Sequence, residues 1–184
     1  MSKKDSQKKR DQLQYPSTWI AELNKSNDRA CVIVGAVFLE IQLEQLLMNF
    51  LVDDKRKVGK LFDFNQPLGS FSSKISMAYC LGLIGSALFD DITIIRDIRN
   101  DCAHELQAID FSNQSIADKC KNFKLFRNVI DHTGQPASTR DHFLSVVSLI
   151  SIYLATEIEE AQKEKRIIQG DLAISDEEIV RLPR

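Results

Sequence analysis

The chain has 184 residues, 43% of them hydrophobic and 27% charged, which is enough for one buried core and too little to suggest two independent domains. Its 24 Lys and Arg against 26 Asp and Glu leave a formal net charge of -2. That balance excludes a global positive field for a phosphate backbone and confines any nucleic-acid contact to a local patch.

Residues 1–14 carry Lys3, Lys4, Lys8, Lys9 and Arg10 with almost nothing apolar, so they read as a disordered basic tail. No apolar stretch follows these bases, and no export signal is expected. The helical domain is expected over residues 15–165. Ser17 can cap a short helix through Leu23, with Trp19 and Ile20 on one face. Asn27 or Asp28 then caps a long helix to about Leu51, whose apolar stripe through Ile33, Val37, Ile41, Leu43, Leu47 and Phe50 is broad enough to imply burial on two sides. Asp53 and Asp54 end it, and the polar run 54–60 reads as a loop. Pro67 stiffens the next approach, Gly69 supplies a positive φ, and Ser70 caps a helix from Phe71 towards Gly85.

A further helix is expected from Asp90 or Asp91 through Ile92, Ile95, Ile98 and Cys102, ending near His104. Ser112 is the candidate cap of a helix over 115–126. Residues 129–139, with Gly134 and Pro136, read as a loop or small hairpin. The last long helix runs from Thr139 to about Lys163, apolar through Phe143, Val146, Val147, Ile150 and Leu154, then charged and solvated from Glu157 to Arg166. Residues 166–184 form a tail with one turn after the capping pattern that starts at Ser175.

The apolar runs near 31–38 and 146–155 fall short of the ~20 residues that cross a bilayer, so no membrane span is expected. No strand series is present. The fold expected is all-α, a single-domain bundle of about five to seven helices. Cys31, Cys80, Cys102 and Cys120 form no C-x-x-C pair and have no histidine at zinc-ligand spacing, so they read as reduced core residues. Neither metal nor cofactor is expected, and the cytosol is the expected compartment.

Several ordered blocks carry a resemblance. Asp28-Arg29-Ala30 opens the first long helix, Leu39-Glu40 and Leu43-Glu44 follow inside it, and Pro67-Leu-Gly-Ser-Phe-Ser-Ser-Lys74 leads to Ala78-Tyr79 and Leu81-Gly-Leu-Ile84. Ile95-Arg96-Asp-Ile-Arg-Asn-Asp-Cys-Ala-His104 and Phe111 complete the series. Over about residues 28–125 this order resembles the mannitol operon repressor family. The resemblance implies an all-helical repressor of a sugar-alcohol operon. Lys74 stands where the family pattern has arginine, which keeps the charge but loses the planar fork.

Arg99-Asn100-Asp-Cys-Ala-His104 also resembles the motif of HEPN ribonucleases, whose helical bundles dimerise to bring two such motifs together. In that chemistry His104 moves a proton, Arg99 stabilises charge growing on a phosphate, and Asn100, one turn away, orients His104. The plainer reading is a polar seam between helices or subunits. Glu40 and Glu44, on one helix face, are then partners for Arg96 or Arg99, and Lys74 and Asp101 join the same polar pocket or interface. His132 and His142 read as ordinary surface positions.

Operator binding would need a basic recognition helix, and none is visible. The helix at 90–104 balances Arg96 and Arg99 against Asp91, Asp97 and Asp101. Three functional expectations follow. The first is a homodimeric regulator that represses through a protein partner, such as a DNA-binding regulator, with direct DNA contact disfavoured. The second is a metal-independent endoribonuclease or toxin acting on RNA through Arg99, Asn100 and His104. The third is a small-ligand sensor that uses the same pocket without turnover.

Overall fold

The computed structural model describes residues 23–104, 110–125, 127–130 and 133–170. Among them the chain is an all-α bundle of six named helices: α1 (Asp28–Phe50), α2 (Lys55–Lys60), α3 (Phe71–Cys80), α4 (Ser86–His104), α5 (Gln114–Lys121) and α6 (Thr139–Lys163). The only pairing of the strand type there is a bridge between Ile130 and Pro136, which closes the expected small hairpin. The helix expected at 17–23, apart from Leu23, and the turn after Ser175 lie outside the described residues.

The two long helices form the spine, and they run parallel. Arg140 meets Asp28 at one end, and Phe50 O accepts from the Arg166 N–H at 2.9 Å at the other. Between these ends, Gln42 Nε2 donates to Ser151 O at 3.0 Å and Asn49 Nδ2 to Ile158 O at 3.1 Å. Gln42 and Asn49 are seven residues apart, as are Ser151 and Ile158, so one seam is kept over two turns. Helices α3 and α4 pack on α1 and on each other, and α5 packs on α4 and α6.

Side chains from every layer meet in one core. Leu39, Leu43, Leu46 and Leu47 of α1 are sealed against Ile92, Ile95 and Ile98 of α4 and Phe143, Val146 and Val147 of α6. Each such side chain contributes about 1.5–3 kcal/mol relative to exposure. By length and composition α1 and α6 could each cross a membrane, because isolated Gly and Ser do not stop a helix as they stop an apolar run; about half of each is buried inside this fold.

Four local expectations change. Residues 55–60 are helical because Asp54 accepts from Lys57 N at 2.9 Å and Val58 anchors the turn by burial. Helix α3 stops at Cys80, because Gly82 takes φ 73° and the Leu83 N–H returns to Ala78 O at 2.9 Å. Asn113, not Ser112, caps α5, accepting from Ser115 N at 2.9 Å, and α5 ends at Lys121. Gly69 is needed for close approach rather than for positive φ: a Cβ there would lie 2.4 Å from Asp63 O.

The charged end of α6 is solvated as expected, with Glu159, Glu160, Lys163 and Glu164 exposed, while its other side packs inward. Ile158 and Ala161 are buried, and the Arg166 guanidinium lies 4.5 Å from the centroid of the Phe50 ring.

Candidate functional site

Ser70 caps α3 through a reciprocal pair with Ser73, the two side chains serving each other's backbone N–H at 3.1 and 3.2 Å. This fixes the first turn of α3 against α1 and carries Lys74 inward. Its ammonium is almost fully buried and lies 3.0 Å from Glu40 Oε1 and 2.9 Å from Glu44 Oε2. Burial works to lower the Lys74 pKa, but the hydrogen bonds it donates to Glu44 and Glu40 outweigh it and hold the ammonium above its ordinary value. The partner of the two glutamates is therefore Lys74, neither Arg96 nor Arg99. One turn along α1 separates the carboxylates, so one compact ammonium can bridge both.

Arg96 turns instead to its own helix and to the start of α3. It donates Nε and Nη2 to Asp97 Oδ1 at 3.0 and 2.7 Å, and Nη1 to Ser72 Oγ at 2.9 Å. Arg99 donates Nη1 to Asn100 Oδ1 at 3.0 Å, so Asn100 is engaged by Arg99, and no bond to His104 is formed. Asp101 pairs with Lys119 of α5. His104 is exposed at the end of α4, next to residues outside the described set. The named residues thus divide into a triad between α1 and α3, with Lys74 buried and both glutamates partly open to solvent, and a row along α4.

A shallow groove of about 600 Å³ opens between α4 and the segment after α5. Lys121, Lys124 and Arg127 line it together with Asp90, Ile94 and Phe123, whereas Arg99, Asn100 and His104 do not. Lys121 pairs with Asp118 and Lys124 with Asp90, which spends much of that positive charge internally.

Three polar anchors were not apparent from sequence. Asp91 is fully buried and accepts from the Lys124 and Leu125 N–H groups at 2.7 and 3.0 Å, tying the chain after α5 to α4. Asp28 accepts from Phe111 N at 3.0 Å while pairing with Arg140, which also donates Nη2 to Leu23 O at 2.9 Å and Ser26 O at 2.7 Å. The third anchor is the pair of amides, Gln42 and Asn49, that bridges the long helices. The one available signal was an aspartate among the apolar positions of a helix, as at Asp91, where an ionised group needs a partner.

No group of three or more metal-ligating side chains occurs among the described residues. Cys31, Cys102 and Cys120 are buried, as the core reading expects, while Cys80 is exposed. His142 is half-buried and meets Phe123 edge-on at 5.6 Å, so it is a packing residue rather than an ordinary surface one. His132 lies outside the described residues.

The named polar side chains of this helical scaffold mostly bind one another. The family model described as mannitol repressor matches residues 20–182, and the chain belongs to that family. Among solved structures, a chain of the MtlR–HPr complex from Escherichia coli matches it at 17% identity and a TM-score of 0.55, covering 78% of this chain and 95% of that one. At that identity the likeness concerns the fold. No curated protein sequence matches the chain.

Proposed function

We propose that this chain is a cytosolic, homodimeric regulator that represses a sugar-alcohol operon by holding a protein partner. Membership of the mannitol repressor family is the observation that carries this reading. The solved relative's complex with HPr supports an HPr-type partner, and a DNA-binding regulator is the natural second partner, since repression must reach the operator through some protein. The charge layout supports an indirect route: the cations along α4 and α5 are largely neutralised by Asp97, Asp101, Asp118 and Asp90.

The test is titration of the purified protein with HPr and, separately, with operator DNA. Saturable binding of HPr is expected, with weak DNA binding that does not discriminate sequence. Tight, salt-sensitive, sequence-selective operator binding would overturn the indirect route, and absence of HPr binding would overturn the partner.

A metal-independent, HEPN-like ribonuclease remains the second reading, because His104 stands exposed on the same helix as Arg99. It requires that wild type cleave labelled RNA without metal and that His104→Ala, folded by circular dichroism, does not.

A further inference from the structure

Among the described residues, the spine of the bundle is buried towards α3, α4 and α5 and leaves apolar side chains open elsewhere. Apolar residues of α1 lie on most of its circumference, broken by Glu40, Glu44 and Gln45, which is more than one buried face requires. Val34, Val37, Ile41 and Met48 stand 37–49% exposed. They follow helical spacing, so they form one continuous stripe. On α6, Leu149 and Ile152 are 39% and 50% exposed.

The register of the seam puts both stripes on the same side. With Gln42 opposite Ser151 and Asn49 opposite Ile158, the side of α1 that bears Leu43, Leu47 and Phe50 and the side of α6 that bears Phe143 and Ile150 are both taken by the core. In a parallel pair the remaining sides face the same way. They are also free of net charge. The charged residues of α1 beyond Arg29 are Glu40 and Glu44, both held by Lys74, and α6 has no charged residue from Phe143 to Thr156.

We infer that this ridge is the surface on which two copies of the chain meet, about a two-fold axis that sets α1 and α6 antiparallel to their counterparts as a four-helix layer. The inference rests on the homodimer in the function proposed above and not on its HPr or operator partners. Six side chains more than a third exposed present on the order of 500 Å² of apolar surface, in the upper part of the range for the largest patch of a free monomer, where such patches are often functional. With the residues between them the ridge approaches the ~800 Å² per partner of a standard interface. A charge-free patch offers nothing to steer a charged partner but suits a permanent isologous contact, and a second copy is always present to cover it.

The test is the solution mass of the full chain by light scattering or sedimentation, for wild type, Ile41→Glu and Ile152→Glu. Both positions are open to solvent in one copy, so the helical circular dichroism should be retained. Wild type is expected at twice the chain mass and both variants at the single-chain mass. Should either glutamate variant fail to fold, Val34→Ser with Leu149→Ser is expected to weaken the dimer at least tenfold. A dimer unchanged by every substitution overturns this interface alone, leaving the homodimer standing. A monomeric wild type overturns both, and if that monomer also floats with phosphatidylcholine vesicles and the variants do not, the ridge is a lipid surface. HPr titration of the same samples reads the partner separately.

Discussion

Arg140, in the first turn of α6, forms an ion pair with Asp28, in the first turn of α1. Two parallel helices start side by side there, and their aligned N-terminal dipoles repel. Asp28 places a carboxylate where both positive ends gather. Arg140 at a helix start opposes its own dipole, and the carbonyls of Leu23 and Ser26 compensate by accepting from it. Arg140→Ala leaves Asp28 without its counter-ion and Ser26 O without this donor, and an expected cost of about 2–4 kcal/mol should appear as a lower urea midpoint. Lysine at this position should restore only part of the loss, since it lacks the fork.

Lys74 is the second point of strain in the charge layout. Its removal leaves Glu40 and Glu44 without their shared counter-ion, and because both carboxylates keep some solvent the expected loss for Lys74→Ala is about 2–3 kcal/mol. Combining Lys74→Met with Glu40→Gln and Glu44→Gln should recover most of it. If the triple variant is no more stable than Lys74→Ala in urea, repulsion between the glutamates is not the cause.

Asp91 holds two backbone N–H groups after α5. We expect Asp91→Ala to cost about 2 kcal/mol and to speed hydrogen exchange at Lys124 and Leu125 before the rest of the bundle responds. Uniform loss of protection throughout the bundle would show that Asp91 supports the whole core rather than that segment.

Alkaline pH should destabilise the fold. Burial pushes the Cys31 thiol up to about 11 and the Cys120 thiol up to about 12 from 9.0. A thiol whose folded pKa is raised keeps its full contribution below the unfolded value and loses it as pH climbs towards the folded one. Lys74, also raised, loses its contribution as pH passes its own folded value. These groups therefore leave stability level from pH 7 to about 9 and lower it above that, a trend that urea midpoints at successive pH values would check.

Thiol reactivity gives an independent check of the burial pattern. A small disulfide reagent at pH 8 is expected to modify Cys80 rapidly and Cys31, Cys102 and Cys120 only on unfolding. More than one fast thiol would contradict the packing of α1, α4 or α5.

The extents of α1 and α6 were legible in the sequence because helix period, length and caps are local properties: Asn27 and Ser138 sit where a cap must sit. The family could be read as well, since the order of its blocks is a linear signal. The first turn of α3 was equally clear from Ser70, but its end was not, because Gly82 interrupts a helical pattern that apolar spacing alone would carry on to Gly85. The polar segment that became α2 was misread for the converse reason: a single buried residue, Val58, outweighs its surface composition.

Within the candidate site, the sequence grouped Glu40, Glu44, Lys74, Arg96 and Asp101, missed Asp91 and the Asp28–Arg140 pair, and misjudged which charges meet. Glu40 and Glu44 lie on one helix face by period alone, but whether Lys74, Arg96 or Arg99 reaches them depends on how α3 and α4 seat against α1. Asp28 and Arg140, 112 positions apart, could be joined only by the parallel seating of the long helices. The sequence by itself determined the extents of the two long helices and their apolar excess. The tertiary structure alone decided the partners of the buried charges and the side of the spine left uncovered, because hydrogen bonds and ion pairs act over a few ångströms in space and are blind to distance along the chain.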